Sequence, residues 1–188
     1  IQNDDSPDYL VSRGAYLTGK LLAEYLGAKF VDAADVIMFH YDGTIDMKRT
    51  SEKLMQYVQG SEKILIPGFY GATPNGTIKV MSRGGSDITG AVLANIVDAD
   101  VYENWTDVSG CLVTDPRIVE NPVPIDIITY RELHELSYMG ASVLHEDAIF
   151  PVRSEGKPNN IRNTNCPEDK GTMIVGDTCS KSEYIITG

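Results

Sequence analysis

The sequence predicts an α/β fold built around a mainly parallel β-sheet. Segments typical of short strands alternate with segments typical of helices along most of the chain, as in parallel sheets with helical crossovers. The chain has 188 residues, enough for about one domain. Hydrophobic residues make up 42% of it and charged residues 23%, which is an ordinary globular composition and excludes a wholly disordered protein.

The N-terminal part of the chain predicts a long helix. Ser6 is followed by Pro7, the order expected of an N-cap and a first helical position, and Gly27 is suited to the C-cap. Four leucines share one face at near-helical spacing: Leu10, Leu17, Leu21 and Leu22.

Short strands and helices are predicted next. Residues 29–33 and 36–41 have the pattern of two strands around an acidic bend, and residues 50–59 that of a short helix. Residues 64–66 predict a buried strand that ends at Pro67, and Asn75-Gly76 indicates a hairpin with a two-residue loop.

The remaining elements continue the alternation. Residues 88–97 predict an apolar helix and residues 100–105 a strand. A capping box at residues 129–132 begins a helix through Met139. Further predictions are a helix at residues 143–152 and a strand at residues 160–162.

Charge and cysteine content exclude some classes of protein. Asp and Glu number 27 against 16 Lys and Arg, a net charge of −11, which argues against binding to nucleic acid. No apolar run approaches the ~18–20 residues that cross a bilayer, so no membrane segment is expected. Cys111, Cys166 and Cys179 are far apart and form no metal-binding spacing, which favours a reducing cytoplasm.

Residues 83–87 form the first candidate site, between a strand and a helix. Gly84 and Gly85 allow backbone amides to approach an anion, while Ser86 or Asp87 can cap the helix. Arg83 offers a planar fork for a carboxylate or phosphate. Arg83 could bind the carboxylate of an amino acid, and Asp87 could bind its ammonium group. The alternative is an ordinary turn with a capped helix and a solvated arginine.

Thr106 and Asp107 form the second candidate site, at the predicted end of a strand. At that position the Thr106 hydroxyl and the Asp107 carboxylate can bind a ribose or a metal-bound phosphate, and Arg117 can reach a triphosphate. The alternative is an Asx turn at Asp107 and a proline-fixed turn at residues 115–116, which the spacing alone favours.

Several short motifs follow one another in order along the chain. They are Pro-Gly-Phe-Tyr-Gly (67–71), Ser-Arg-Gly-Gly-Ser-Asp (82–87), Trp-Thr-Asp-Val (105–108), Thr-Asp-Pro-Arg-Ile-Val (114–119), Tyr-Met-Gly-Ala (138–141), Arg-Asn-Thr (162–164) and Gly-Thr (171–172). In this order and at these intervals they resemble the aspartate kinases of the amino acid kinase superfamily. The resemblance extends from about Tyr9 to Val175.

The resemblance implies a three-layer αβα sandwich with a mostly parallel sheet, the amino acid kinase or carbamate kinase-like fold, with its N-terminal part missing. Residues 1–175 would be a partial catalytic domain, and residues 176–188 a linker toward an absent C-terminal ACT regulatory region. The implied reaction moves the γ-phosphoryl group of ATP, with Mg²⁺, to the side-chain carboxylate of L-aspartate. It gives 4-phospho-L-aspartate, the entry to lysine, threonine and methionine synthesis. A homodimer is a further expectation.

The resemblance also assigns site residues. Arg83 and Asp87 would be catalytic. The aspartate side would consist of Ala15, Phe69, Arg83, Gly84, Gly85, Ser86 and Asp87. The ATP side would consist of Thr106, Asp107, Leu112, Arg117, Ser142 and Val143.

The chain departs from the family pattern at several positions. It contains no Lys-x-Gly-Gly loop, Ala15 stands where the family has a glutamate facing the aspartate, and Ser142 replaces a lysine near the nucleotide. Losing one charged contact such as the glutamate costs about 1.5–3 kcal/mol of binding. Two alternatives therefore stay open: another kinase of the same fold, or a non-catalytic nucleotide-binding or dimerisation fragment.

Overall fold

The computed structural model describes residues 6–81, 84–114, 119–138 and 157–176. The chain divides into two compact units, Ile1–Val97 and Asp98–Gly188. Strand pairing is mostly parallel, with three parallel and two antiparallel pairs among the described strands. The predicted α/β class is therefore confirmed. None of the helices in the described ranges is both long and apolar enough to cross a membrane.

Helix α1 (Pro7–Leu26) has the ends that the sequence predicts. The Ser6 hydroxyl accepts a hydrogen bond from the Tyr9 N–H at 3.1 Å, and Pro7 occupies the first helical position, where its missing N–H costs nothing. Gly27 ends the helix with a φ of 62°, in the left-handed conformation that glycine adopts without steric cost.

The leucine face of α1 is not the face that packs. Leu10, Leu17, Leu21 and Leu22 are 46–70% exposed in this structure, while Ser12, Gly19 and Ala23 are buried. A Cβ on Gly19 would lie 3.0 Å from Pro67 and 3.2 Å from Phe30, so only a small side chain lets the helix approach the strands this closely. Backbone proximity, rather than leucine burial, sets the orientation of α1.

After α1, the first unit contains a parallel strand pair, β1 (Lys29–Phe30) and β2 (Ile64–Leu65). Between them lie helices α2 (Ala33–Val36) and α3 (Met47–Val58), which begin after the N-caps Asp32 and Asp46. The strand predicted for residues 36–41 is wrong in its first part. The Asp32 carboxylate accepts the Ala34 N–H at 3.0 Å and so starts a helix there.

An antiparallel hairpin follows, made by β3 (Tyr70–Ala72) and β4 (Ile78–Val80). The hairpin prediction is confirmed, but its loop is longer than two residues. The Thr73 N–H donates to the Thr77 carbonyl at 3.0 Å, and Gly76 has a φ of 82°. Pro74 favours a turn followed by a left-handed glycine, the usual three-residue arrangement. Helix α4 (Gly85–Ile96) then begins three residues before its predicted start.

The second unit is a four-stranded sheet with one described helix. Its elements are β5 (Tyr102–Thr106), β6 (Ile127–Thr129), α5 (Tyr130–Tyr138), β7 (Asn159–Asn163) and β8 (Thr172–Val175). The strand order is β5-β7-β8-β6, with parallel outer pairs and an antiparallel central pair. Ile128, Ile161 and Ile174 are each at most 1% exposed and form the apolar centre of this sheet.

The capping box before α5 is confirmed. The Thr129 N–H donates to the Glu132 carboxylate at 2.8 Å, and the Glu132 N–H donates to the Thr129 hydroxyl at 3.2 Å. The strands β6 and β8 had not been predicted. The helix predicted for residues 143–152 lies outside the described residues, as do Met139 and residues 177–188 of the predicted linker.

Candidate functional site

The N-terminus of α4 forms the centre of the first candidate site. Gly84 is its N-cap with a φ of 73° and a ψ of 13°, and as a glycine it has no side chain with which to cap the helix. The first amides of such a helix have no partner within the helix and carry the positive end of its dipole. This end of α4 therefore suits an anionic group, as the two adjacent glycines suggest.

The loop before β3 packs directly against this helix end. Phe69 has a φ of 64°, a conformation that bulky residues rarely adopt. A Cβ on Gly85 would lie 2.8 Å from the Phe69 Cβ, and a Cβ on Gly68 would lie 3.1 Å from the Ser86 Cα. The structure thus brings Phe69 next to Gly85, and the preceding Gly68 next to Ser86.

Thr89 lies behind this loop, and the sequence analysis did not identify it. Its hydroxyl accepts the Phe69 N–H at 3.1 Å and donates to the Gly85 carbonyl at 2.7 Å. The two backbone groups are twenty and four residues away from Thr89 along the chain. No motif in the sequence signals the longer of these contacts.

Ala15 lies on α1, half-buried beside the apolar core of the first unit. Phe69 packs against the same core cluster, which includes Val36, Ile37 and Tyr70. The methyl group of Ala15 can neither accept a hydrogen bond nor carry charge. At this position the chain adds apolar packing where the family pattern has a carboxylate.

A buried tyrosine supports the same loop. Tyr70 donates its hydroxyl proton to the Asp32 carboxylate at 2.7 Å, and Arg13 lies 5.7 Å from its ring centre. Burial first, and then the hydrogen bond to Asp32, raise the pKa of Tyr70 above its ordinary value. Tyr70 therefore stays protonated as a donor at any physiological pH and holds β3 beside the start of α2.

The second candidate site lies at the end of β5. The Thr106 hydroxyl donates to the Asp107 carboxylate at 3.2 Å, and Asp107 is exposed. The Thr106 carbonyl accepts both the Thr164 N–H at 2.8 Å and the Thr164 hydroxyl at 2.9 Å. The end of β5 is thus fixed to the residue after β7, its parallel neighbour.

Three further polar residues hold the loop after Asp107. The Ser109 hydroxyl donates to the Asp169 carboxylate at 2.6 Å and accepts the Asn163 side-chain amide at 2.9 Å. The Asn163 side-chain oxygen in turn accepts the Asn165 N–H at 2.9 Å. Sequence reasoning gave none of these residues a role in the site. The available signal was that polar residues also follow β7, as they follow β5.

An arginine borders this site. The Arg162 guanidinium lies 4.8 Å from the Trp105 ring centre and 3.3 Å from the Glu103 carboxylate. It also donates to the Pro167 carbonyl at 2.7 Å. These contacts hold its positive charge close to the strand end that carries Thr106.

The other assigned residues are placed as follows. Leu112 lies in the loop after Gly110, bridges to Pro124 and is 37% exposed. The assigned residues outside the described ranges are Arg83, Arg117, Ser142 and Val143. The described residues of the aspartate group all belong to the first unit, and those of the ATP group to the second.

The donor set is compatible with a nucleotide-bound magnesium ion. No group of three or more His, Cys, Asp or Glu side chains gathers within the described residues to hold a metal by itself. Proteins that bind Mg²⁺ with a nucleotide usually supply one or two carboxylates, while phosphate oxygens supply other ligands. The exposed Asp107 carboxylate fits that role.

Comparison with known proteins identifies a family and several similar proteins. The amino acid kinase family matches residues 2–163. Aspartokinase 3 of Bacillus subtilis is 38% identical over an alignment that covers 89% of this chain and 39% of that protein. The expected resemblance to aspartate kinases is confirmed by these matches and by solved structures.

Two crystal structures of aspartate kinases have closely similar folds. Clostridium acetobutylicum aspartate kinase is 57% identical with a TM-score of 0.89, over 94% of this chain and 40% of that one. E. coli aspartokinase III in complex with aspartate and ADP is 30% identical with a TM-score of 0.80, over 91% of this chain and 41% of that one. The chain thus spans about two-fifths of the length of these relatives. It belongs to the amino acid kinase family.

Proposed function

We propose that the chain is the catalytic portion of an aspartate kinase. It would transfer the γ-phosphoryl group of ATP to the side-chain carboxylate of L-aspartate and form 4-phospho-L-aspartate. The observation that carries the proposal is the close approach of Gly68 and the left-handed Phe69 to Ser86 and Gly85 at the α4 N-terminus, whose N-cap is the glycine Gly84. E. coli aspartokinase III, which has a similar fold, was solved with aspartate and ADP.

On the aspartate side, the amides at the start of α4 and the guanidinium of Arg83 would bind the α-carboxylate. Asp87, in the first turn of α4, would bind the α-ammonium group. The side-chain carboxylate of the substrate is then left free to attack. Arg83 and Asp87 are the proposed catalytic residues, with Phe69, Gly84, Gly85 and Ser86 shaping the pocket around the substrate and Ala15 beside it.

On the nucleotide side, Thr106 and Asp107 would bind the ribose or the metal-bound phosphates, with Arg117 reaching the phosphate chain. Leu112, Ser142 and Val143 would complete the ATP side. Mg²⁺ would reduce the repulsion between the phosphate oxygens and the incoming carboxylate. Asp107 is the described residue that would hold it.

The chemistry requires little proton transfer. The attacking carboxylate is already an anion, so no general base is needed. The protein must hold two negatively charged reactants in line and neutralise charge on the transferring group. A site made of backbone amides, one arginine and a metal-bound nucleotide meets that requirement.

Three further expectations belong to the same proposal. The free thiols of Cys111 and Cys166 suit a reducing cytoplasm. The strongly acidic composition argues against a nucleic-acid partner. A homodimer is the proposed assembly.

The proposal can be tested with a hydroxylamine-trapping assay on the full-length protein. With Mg-ATP and L-aspartate, the acyl phosphate should be captured as aspartyl hydroxamate, and L-glutamate should give none. Arg83→Gln should lower kcat/KM about a hundredfold or more, since a charge-assisted bidentate contact is lost. Arg131→Gln is the control, because the Arg131 side chain is 74% exposed on α5. Equal activity with glutamate would instead indicate another kinase of this fold.

The presence of Ala15 favours a second candidate function, that of a nucleotide-binding protein that does not turn over substrate. That candidate predicts ADP binding by calorimetry, with no hydroxamate from any amino acid. Product formed with aspartate would eliminate it.

A further inference from the structure

Phe69 is held in a conformation that its side chain does not favour. Its φ of 64° lies in the left-handed region, where the Cβ of an aromatic residue is crowded by the backbone. Such conformations persist only where surrounding contacts impose them, and they cluster at ligand-binding sites. The contacts that impose this one therefore control a part of the proposed aspartate site.

Two backbone hydrogen bonds hold Phe69 on either side. Its carbonyl accepts the Met81 N–H at 2.7 Å, and its own N–H donates to the Thr89 hydroxyl at 3.1 Å. The Thr89 hydroxyl has one proton, which it donates to the Gly85 carbonyl at 2.7 Å. One buried hydroxyl thus joins the strained residue to the first turn of α4.

There is no room for Phe69 and α4 to move closer together. A Cβ added to Gly85 would lie 3.1 Å from the Phe69 Cα and 2.8 Å from the Met81 Cβ. Thr89 itself is only 2% exposed, so water does not replace its hydroxyl without local opening. Close packing at Gly85 therefore limits how near the Phe69 backbone can come to the helix end, and the Thr89 hydroxyl holds the two together.

We propose that Thr89 is a positioning residue for aspartate binding. It does not touch the substrate. Its hydroxyl fixes the Phe69 backbone at the α4 N-terminus, where the proposed function places the α-carboxylate of aspartate. The inference rests on that proposed function. It distinguishes Thr89 from an ordinary helix threonine, whose hydroxyl would bond only to the carbonyl four residues earlier.

The test compares two substitutions at Thr89 with a matched substitution elsewhere in the same unit. Thr89→Val removes the hydroxyl at nearly constant volume, and Thr89→Ser retains it. Thr50→Val is the control. Thr50 is also fully buried on a helix, and its hydroxyl also accepts a backbone N–H, that of Met38 at 3.1 Å. All are made in the full-length protein, with urea unfolding to compare their stability.

We expect Thr89→Val to raise the KM for aspartate about tenfold or more while the KM for ATP changes less than about threefold. Thr89→Ser should restore the aspartate KM to within about threefold of the wild-type value. Amide exchange at Phe69 should accelerate in Thr89→Val and remain slow in Thr89→Ser. Thr50→Val should lose similar stability and keep both KM values.

The failures of the two proposals are separable. A wild-type protein that does not use aspartate refutes the proposed function and, with it, the role of Thr89. A wild-type protein that does use aspartate, together with an unchanged aspartate KM in Thr89→Val, refutes only the role of Thr89. An equal rise of the aspartate KM in Thr50→Val would also refute it, because the effect would then follow general stability.

Discussion

The two units of the chain position their candidate ligand-binding residues by different means. In the first unit, Phe69 and Gly85 meet at backbone distance, with no space for an added Cβ, and a single hydroxyl holds them. In the second unit, Ser109, Asn163 and Asp169 hold the loop after β5 through side-chain bonds near the surface. A site built from backbone should fail abruptly on substitution, whereas one built from exposed side chains should weaken in small steps.

The largest effect is expected at the backbone contact of the first unit. Gly85→Ala places a Cβ 2.8 Å from the Cβ of Phe69, so it should lower the free energy of unfolding by about 3 kcal/mol and abolish aspartate binding. Urea unfolding and calorimetry measure both. Gly14→Ala is the control, because no described atom lies within 4 Å of its Cβ and alanine favours α1. If both variants behave alike, close packing is not what builds the first site.

Restoring the carboxylate of the family pattern should strengthen the first site. Ala15→Glu is expected to tighten aspartate binding by about 1.5–3 kcal/mol through a charged hydrogen bond. Calorimetric titration with L-aspartate measures the change, and Ala15→Gln separates the charge from the added volume. Unchanged affinity in Ala15→Glu would show that this position of α1 does not face the substrate.

High pH should weaken the second unit through Cys111. Burial raises the pKa of this thiol from 9.0 to about 11, against the weaker opposing effect of its hydrogen-bonded partner Thr172. The folded state therefore holds the proton more tightly than the unfolded state. The resulting stability is complete below pH 9, and about 2 kcal/mol of it is lost as the pH rises through 11.

Urea unfolding from pH 8 to 11.5 checks this expectation against Cys111→Ala. The buried tyrosines Tyr70 and Tyr130 also have raised pKa values, so both proteins should lose stability at high pH. Only the difference between them belongs to the thiol. Parallel curves for the two proteins would contradict the prediction.

The smallest effect is expected at the side-chain network of the second unit. Ser109→Ala should cost about 1 kcal/mol of stability, because its bonds to Asp169 and Asn163 are partly solvated. It should weaken ADP binding about threefold to tenfold, as measured by equilibrium titration. Asp169→Asn keeps an acceptor oxygen and should weaken binding less. If Ser109→Ala abolished ADP binding, the two sites would not differ in their sensitivity to substitution, and the comparison between the units would be wrong.

Local chemistry made several elements predictable. Ser6, Gly27 and the pair Thr129 and Glu132 satisfy helix ends with groups only a few residues away, so the sequence alone signals them. The orientation of α1 was not predictable in this way. It depends on Gly19 meeting strand residues that lie far along the chain.

The strands β6 and β8 have only three and four residues, too few to show a periodic pattern, and neither is followed directly by a proline that marks a strand end, as Pro67 does after residues 64–66. The same limit applies to the candidate site. Gly84, Gly85 and Asp107 were recognisable from their local motifs. Thr89 and Ser109 act on partners that are twenty and sixty residues away. Only the fold brings these partners together.

The chain contains a single tryptophan, Trp105, the next-to-last residue of strand β5, and it is 43% exposed beside the Arg162 guanidinium. Fluorescence excited at the red edge of the tryptophan absorption band therefore reports on the second unit alone, because the first unit contains no tryptophan. Comparing it with far-ultraviolet circular dichroism, which records both units, should reveal whether they unfold in one cooperative step or in two. The same indole should sense nucleotide arriving at Thr106 and Asp107, without any added dye.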